Sequence, residues 1–110
     1  MTERARRENG MDYRSDIRGE RMVVSISGTL TFDDHEAFRR IVGEIAVCDV
    51  PTVELSLATT KMIDSAGIGM LLLANDKATK SGKRLCLSGV SGHVAKVIDL
   101  SKIDQLIPIE

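Results

Sequence analysis

The stretch Met62-Ile63-Asp64-Ser65-Ala66-Gly67-Ile68-Gly69-Met70-Leu71-Leu72-Leu73 decides the fold. An apolar strand-and-loop segment runs into an acidic residue and a serine, and an apolar helix follows. This reading makes Ser65 the N-cap of that helix. Two glycines in a first turn cost about 1 kcal/mol each relative to alanine. Gly67 and Gly69 therefore mark a place where bulk must be absent, so that a partner backbone can approach closely. The run Met70 to Ala74 offsets that cost by burying the helix. The helix is expected to reach about Lys80, where Ser81-Gly82 stops it and Lys77 and Lys80 suit its negative end.

Upstream of the corner, Val53, Leu55 and Leu57 alternate with Thr52, Glu54 and Ser56. That is a strand whose polar face implies a sheet covered on one side, or an edge position. Thr59-Thr60-Lys61 reads as a loop leading to the corner. Pro51 prevents the preceding helix from continuing. That helix starts at Asp33, a favoured N-cap, with Glu36 at the capping-box position. Phe38, Ile41, Val42, Ile45 and Ala46 form its apolar stripe. Earlier still, Met22 to Ser27 alternates as a half-buried strand that Gly28 ends, and Tyr13 to Ile17 forms a weak first strand before a Gly19-Glu20 turn.

Downstream, Arg84 to Ser88 is a fourth strand. Ser91 caps a short helix through about Leu100, with Val94, Val97 and Ile98 inward. Leu106 to Ile109 reads as a last strand, where Pro108 suits an edge. Strands alternating with helices imply an α/β fold with parallel pairings and right-handed crossovers. The first two strands add as an antiparallel hairpin. The expected sheet is mixed but mainly parallel, with four to five strands and helices on one face. Residues 1–11 are polar and charged and read as a disordered tail; residues 12–110 form a single domain.

The chain has 110 residues, 15 Lys plus Arg, 16 Asp plus Glu and a net charge of −1. Such a balance argues against general affinity for nucleic acid or anionic membranes. Tyr13, Phe32 and Phe38 are too few aromatics for a base-stacking platform. The longest apolar run, Ile68 to Ala74, is far short of the roughly 20 residues that span a bilayer. Met1 to Asn9 is charged and no apolar h-region follows, so a cytoplasmic location is expected. Cys48 and Cys86 are far apart and read as structural thiols. His35 and His93 have no ligating neighbours at metal spacing, so no metal and no cofactor are expected. No nucleophile elbow surrounds Ser65, and no P-loop or dinucleotide fingerprint is present. Asp33 and Asp34 read as capping residues rather than magnesium ligands.

The element order, the Asp64-Ser65-Ala66-Gly67-Ile68-Gly69 corner and the later Gly89-Val90-Ser91-Gly92-His93-Val94 together resemble the STAS domain. The resemblance spans roughly residues 12–109 and points to the bacterial anti-sigma factor antagonists. It implies a regulatory protein without catalysis of its own. In that family the serine after the aspartate is phosphorylated by a partner serine kinase, often the anti-sigma factor itself, and a phosphatase restores it. The unphosphorylated form binds the anti-sigma factor. Carried over, Ser65 is the phosphoacceptor and Asp64 its family-typical neighbour. Ala66 stands where many members carry a second Ser or Thr. The implied partner surface comprises Asp64, Ser65, Ala66, Gly67 and Met70. The loop after the second strand, Thr29 to His35, joins it with Thr31, Asp33, Asp34 and His35. The resemblance leaves two other outputs open: a subunit of an ABC-type membrane transport system, and a biofilm, motility or stress switch without a sigma factor. It leaves the oligomeric state open as well.

Overall fold

A computed structural model describes residues 10–110 and shows four strands and three α-helices. Residues 1–9, most of the expected tail, lie outside the described residues. Met11, its last residue, is buried in the core. Strand β1 (Asp12–Arg18) turns through Gly19, at φ +64°, into β2 (Arg21–Leu30). A 3₁₀ turn at Phe32–Asp34 leads into α1 (His35–Val47). Then come β3 (Thr52–Ile63), α2 (Ser65–Lys80), β4 (Arg84–Ser88) and α3 (Gly92–Ser101). The sheet order is β1-β2-β3-β4; the first pair is antiparallel and the other two are parallel.

Val24, Ile26, Val53, Leu55, Leu57, Leu85 and Leu87 form the inner face of the sheet. Phe38, Ile41 and Ile45 of α1, Leu71, Ala74 and Ala78 of α2, and Val94 and Ile98 of α3 join them in one core cluster. The helices therefore cover one face, and this explains the polar alternation of the central strand β3. On the other face Arg21 bridges Glu54 (2.9 Å) and Glu110 (2.8 Å), and the Ser88 hydroxyl donates to Glu54 (2.6 Å). The Ser88 bond, then the Arg21 guanidinium, holds the Glu54 carboxyl below its ordinary range. Burial pushes the Cys86 thiol up to about 11.

Several boundaries differ from expectation for physical reasons. Thr59-Thr60-Lys61 is not a loop, because β3 continues to Ile63. Two register shifts against β2 each insert an extra residue into β3, one after Ser56 and one after Thr60. These bulges replace period-two alternation with burial at Leu57, Thr60 and Ile63. Hydroxyls of Thr60 (2.7 Å) and Thr59 (3.2 Å) donate to the Ile26 carbonyl at the first bulge. Gly28 does not end β2. It lies within the strand at φ +87°, where a Cβ would come within 2.6 Å of the Gly10 carbonyl oxygen.

The helix start after β2 is built by Thr31 and Asp34, not by Asp33 and Glu36. Asp34 N–H donates to the Thr31 carbonyl (2.9 Å), and Thr31 N–H donates back to Asp34 Oδ2 (2.8 Å). The expected final strand reduces to one parallel bridge, Leu87 with Ile109. Leu87 N–H donates to the Pro108 carbonyl (2.9 Å) and Glu110 N–H to the Leu87 carbonyl (2.7 Å). Pro108 lacks the amide that a longer ladder needs.

Candidate functional site at the β3–α2 corner

Asp64, not Ser65, caps α2. Its backbone is extended (φ −115°, ψ −174°), and its Oδ1 accepts from Gly67 N–H at 2.9 Å. Asp64 C=O accepts the first helical bond, from Ile68 N–H at 3.0 Å. An aspartate satisfies the orphaned amide as well as serine and adds a charge that the helix dipole favours. Ser65 is thereby moved to the first helical position. Its side chain is exposed, and its hydroxyl makes no hydrogen bond to another described residue.

The corner is tied to the β2–α1 loop. Asp64 N–H reaches the Leu30 carbonyl (3.4 Å), and Phe32 N–H reaches Asp64 Oδ2 (3.4 Å). Gly67 is the point of closest approach. A Cβ there would collide with the Leu30 carbonyl oxygen and stand 2.7 Å from Ile63 Cγ1. Its missing side chain thus admits this chain's own β2 end rather than a partner backbone. Gly69 is exposed with open space around it.

The other expected surface residues divide in two. Asp64, Ser65, Asp33 and His35 are exposed, and Ala66 and Thr31 are half-buried. Gly67 and Met70 are buried and build the corner from within. Asp34 is also inside, with no accessible surface. Its carboxylate accepts from Met11 N–H (2.8 Å), Thr29 Oγ1 (3.0 Å), Thr31 N–H (2.8 Å) and Thr31 Oγ1 (3.1 Å). Burial alone raises the Asp34 pKa, but the Thr31 and Met11 amides and the two hydroxyls outweigh it and hold it low.

Beside Ser65 opens a groove of about 330 Å³ lined by Ile68, Val97, Leu100 and Ser101. Leu100 is 81% exposed, and Leu72 and Leu73 continue an exposed apolar stripe along α2. The sequence carried a signal for this stripe. Five consecutive apolar residues, Met70 to Ala74, cannot all face inward on a helix of 3.6 residues per turn. His93, at the start of α3, lies with Nε2 3.3 Å from the Ile63 carbonyl oxygen. Among the described residues no cluster of His, Cys, Asp or Glu is arranged to hold a metal ion, and no helix is long and apolar enough to cross a membrane.

A four-stranded, mainly parallel mixed sheet with three helices on one face matches the fold of a STAS domain. The family described as "Mlab, STAS domain" matches residues 13–108. The chain is 30% identical over 91 residues to a STAS-domain containing protein of Pseudomonas aeruginosa (strain UCBPP-PA14), covering 83% of this chain and 89% of that protein. It belongs to the STAS-domain family. An anti-sigma factor antagonist from Mycobacterium paratuberculosis superposes with a TM-score of 0.82 at 17% identity, over 94% of this chain and 87% of that one. The Bacillus cell fate determinant SpoIIAA in its phosphorylated form superposes with a TM-score of 0.64 at 20% identity, over 89% and 90%.

Proposed function

We propose that this protein is a phosphorylation-gated binding protein, an anti-sigma factor antagonist that acts in the cytoplasm without catalysis of its own. It binds an anti-sigma factor or serine kinase while Ser65 is unmodified and releases it once Ser65 is phosphorylated. A serine phosphatase resets it. The observation that carries this reading is the exposed Ser65 hydroxyl at the first position of α2, beside an apolar groove. The fold shared with anti-sigma factor antagonists, among them SpoIIAA, whose structure exists in unphosphorylated and phosphorylated forms, supports it.

A phosphate at Ser65 adds about −1.5 to −2 charges at neutral pH. The helix N-terminus favours that charge, while the neighbouring Asp64 carboxylate opposes it. The two effects offset, so the domain stays folded and the change is felt at the interface. Bringing the dianion against an apolar or acidic partner site costs several kcal/mol through desolvation and repulsion. At about 1.4 kcal/mol per decade of affinity, that suffices for a switch.

The direct test is phosphosite mapping of the protein isolated from cells in several growth states. Phosphate on Ser65 that vanishes in Ser65→Ala supports the reading. A protein unmodified at Ser65 in every state contradicts it.

A further inference from the structure

We propose that Phe32 is the aromatic anchor of the partner-binding surface and that Asp34 is its positioning residue. The proposal rests on the partner-binding reading of the Ser65 corner. Phe32 is 72% exposed, whereas Phe38 is 1% exposed and lies in the core. Its backbone is held from both sides. Phe32 N–H reaches Asp64 Oδ2 (3.4 Å), and Asp64 directly precedes Ser65. On the other side the buried Asp34 carboxylate takes both the amide (2.8 Å) and the hydroxyl (3.1 Å) of Thr31, together with Thr29 Oγ1 and Met11 N–H. The Asp34 amide closes the 3₁₀ turn onto the Thr31 carbonyl.

A buried carboxylate with at least four donors is an expensive way to build a loop that only connects two elements. Here it fixes the backbone that presents an outward-facing ring. Aromatic side chains have few rotatable bonds, give large contact areas and are concentrated at the energetic centres of protein interfaces. Glu36, at the start of α1, and Asp64, whose Oδ2 takes the Phe32 amide, are exposed on the elements that flank Phe32. Those carboxylates disfavour nucleic acid and anionic membranes as the occupant. The complementary chemistry is an apolar pocket on a protein. Asp64 joins the two halves of the surface, since one of its oxygens binds the Phe32 amide and the other the α2 amide of Gly67. A partner that receives Phe32 therefore lies against Ser65, and phosphorylation acts on a surface whose affinity is supplied largely next door.

The test uses the full chain in a Ser65→Ala background, with quantitative capture of the kinase or anti-sigma partner from native lysate. Phe32→Ala is expected to lower capture by about tenfold or more with an unchanged melting temperature, and Phe32→Leu to restore part of it. Asp34→Asn is expected to weaken capture, to speed amide exchange at Thr31 and Phe32, and to add no further loss to Phe32→Ala. Capture equal to the parent by Phe32→Ala overturns the anchor. A loss from Asp34→Asn that persists in the Phe32→Ala background overturns the positioning role. If the Ser65→Ala parent itself captures no such partner, the reading of the corner fails and the anchor fails with it.

Discussion

Gly67→Ala is a severe and specific perturbation of the corner. In a helix, replacing glycine by alanine ordinarily stabilises by about 1 kcal/mol. At Gly67 the new Cβ would collide with the Leu30 carbonyl oxygen, approach the Leu30 carbonyl carbon at 3.1 Å and meet Ile63 Cγ1 at 2.7 Å. The Ile63 side chain can give way, but the Leu30 backbone cannot, because Leu30 pairs with Ile63 in the sheet and its carbonyl accepts from Asp64. Relief requires α2 to lift away from β2. Because the obstacle is backbone, the cost falls in the upper part of the usual overpacking range, about 2–3 kcal/mol, and exceeds the propensity gain. For a domain of this size about 1 kcal/mol shifts the melting temperature by roughly 4–8 °C. A net loss of about 1–2 kcal/mol therefore lowers it by roughly 5–15 °C. Gly69→Ala is the matched control, since nothing lies within 4 Å of its Cβ position. It should raise the melting temperature by a few degrees. Thermal unfolding followed by circular dichroism reads both. A Gly67→Ala protein as stable as the parent, or a Gly69→Ala protein equally damaged, would refute the close-packing argument.

Asp34→Ala should destabilise at neutral pH by about 2–4 kcal/mol, because it strands buried donors that face a charged acceptor. The Asp34 pKa is lower in the folded chain, so its contribution is present above the unfolded carboxyl value and is lost as pH falls through the folded one. Denaturant unfolding should thus show the gap between parent and variant narrowing below about pH 4. Cys86, buried with its thiol raised to about 11, should resist a thiol reagent at pH 8 until the protein unfolds, while the half-buried Cys48 reacts sooner. Two equally fast thiols would contradict the burial of Cys86. Ser65→Asp should leave the melting temperature within a few degrees of the parent, since the change sits on an exposed first helical position; a large drop would mean that charge at Ser65 acts on folding.

The legible parts of the fold were those with uninterrupted periodicity. The stripe Phe38–Ile41–Val42–Ile45 and the alternation Val53–Leu55–Leu57 each place one apolar face, and the observed core uses both. The second half of β3 was hidden because two bulges broke its alternation, so Thr59-Thr60-Lys61 had the composition of a loop and the geometry of a strand. Leu106 to Ile109 has the composition of a strand, but Pro108 limits it to one bridge. At the corner, Asp64 and Ser65 are both good caps, and sequence alone does not show which side chain reaches back. The Gly67 amide answers that with a bond to Asp64. Asp34 has the sequence position of a surface cap, and its burial follows from donors on Thr29, Thr31 and the distant Met11, contacts that tertiary structure creates. Phe32 and Leu100 gave no periodic signal at all; their exposure is visible only once the loop and α3 are placed.

Phosphate on Ser65 is proposed to gate binding. The most direct measurement compares protein carrying phosphoserine at position 65 with the unmodified protein and Ser65→Ala, each used as bait in native lysate with captured proteins quantified by mass spectrometry. The expected result is one ATP-binding kinase or anti-sigma partner held by the unmodified and Ser65→Ala baits and lost from the phosphorylated one. Equal capture of the same partner by all three would contradict it.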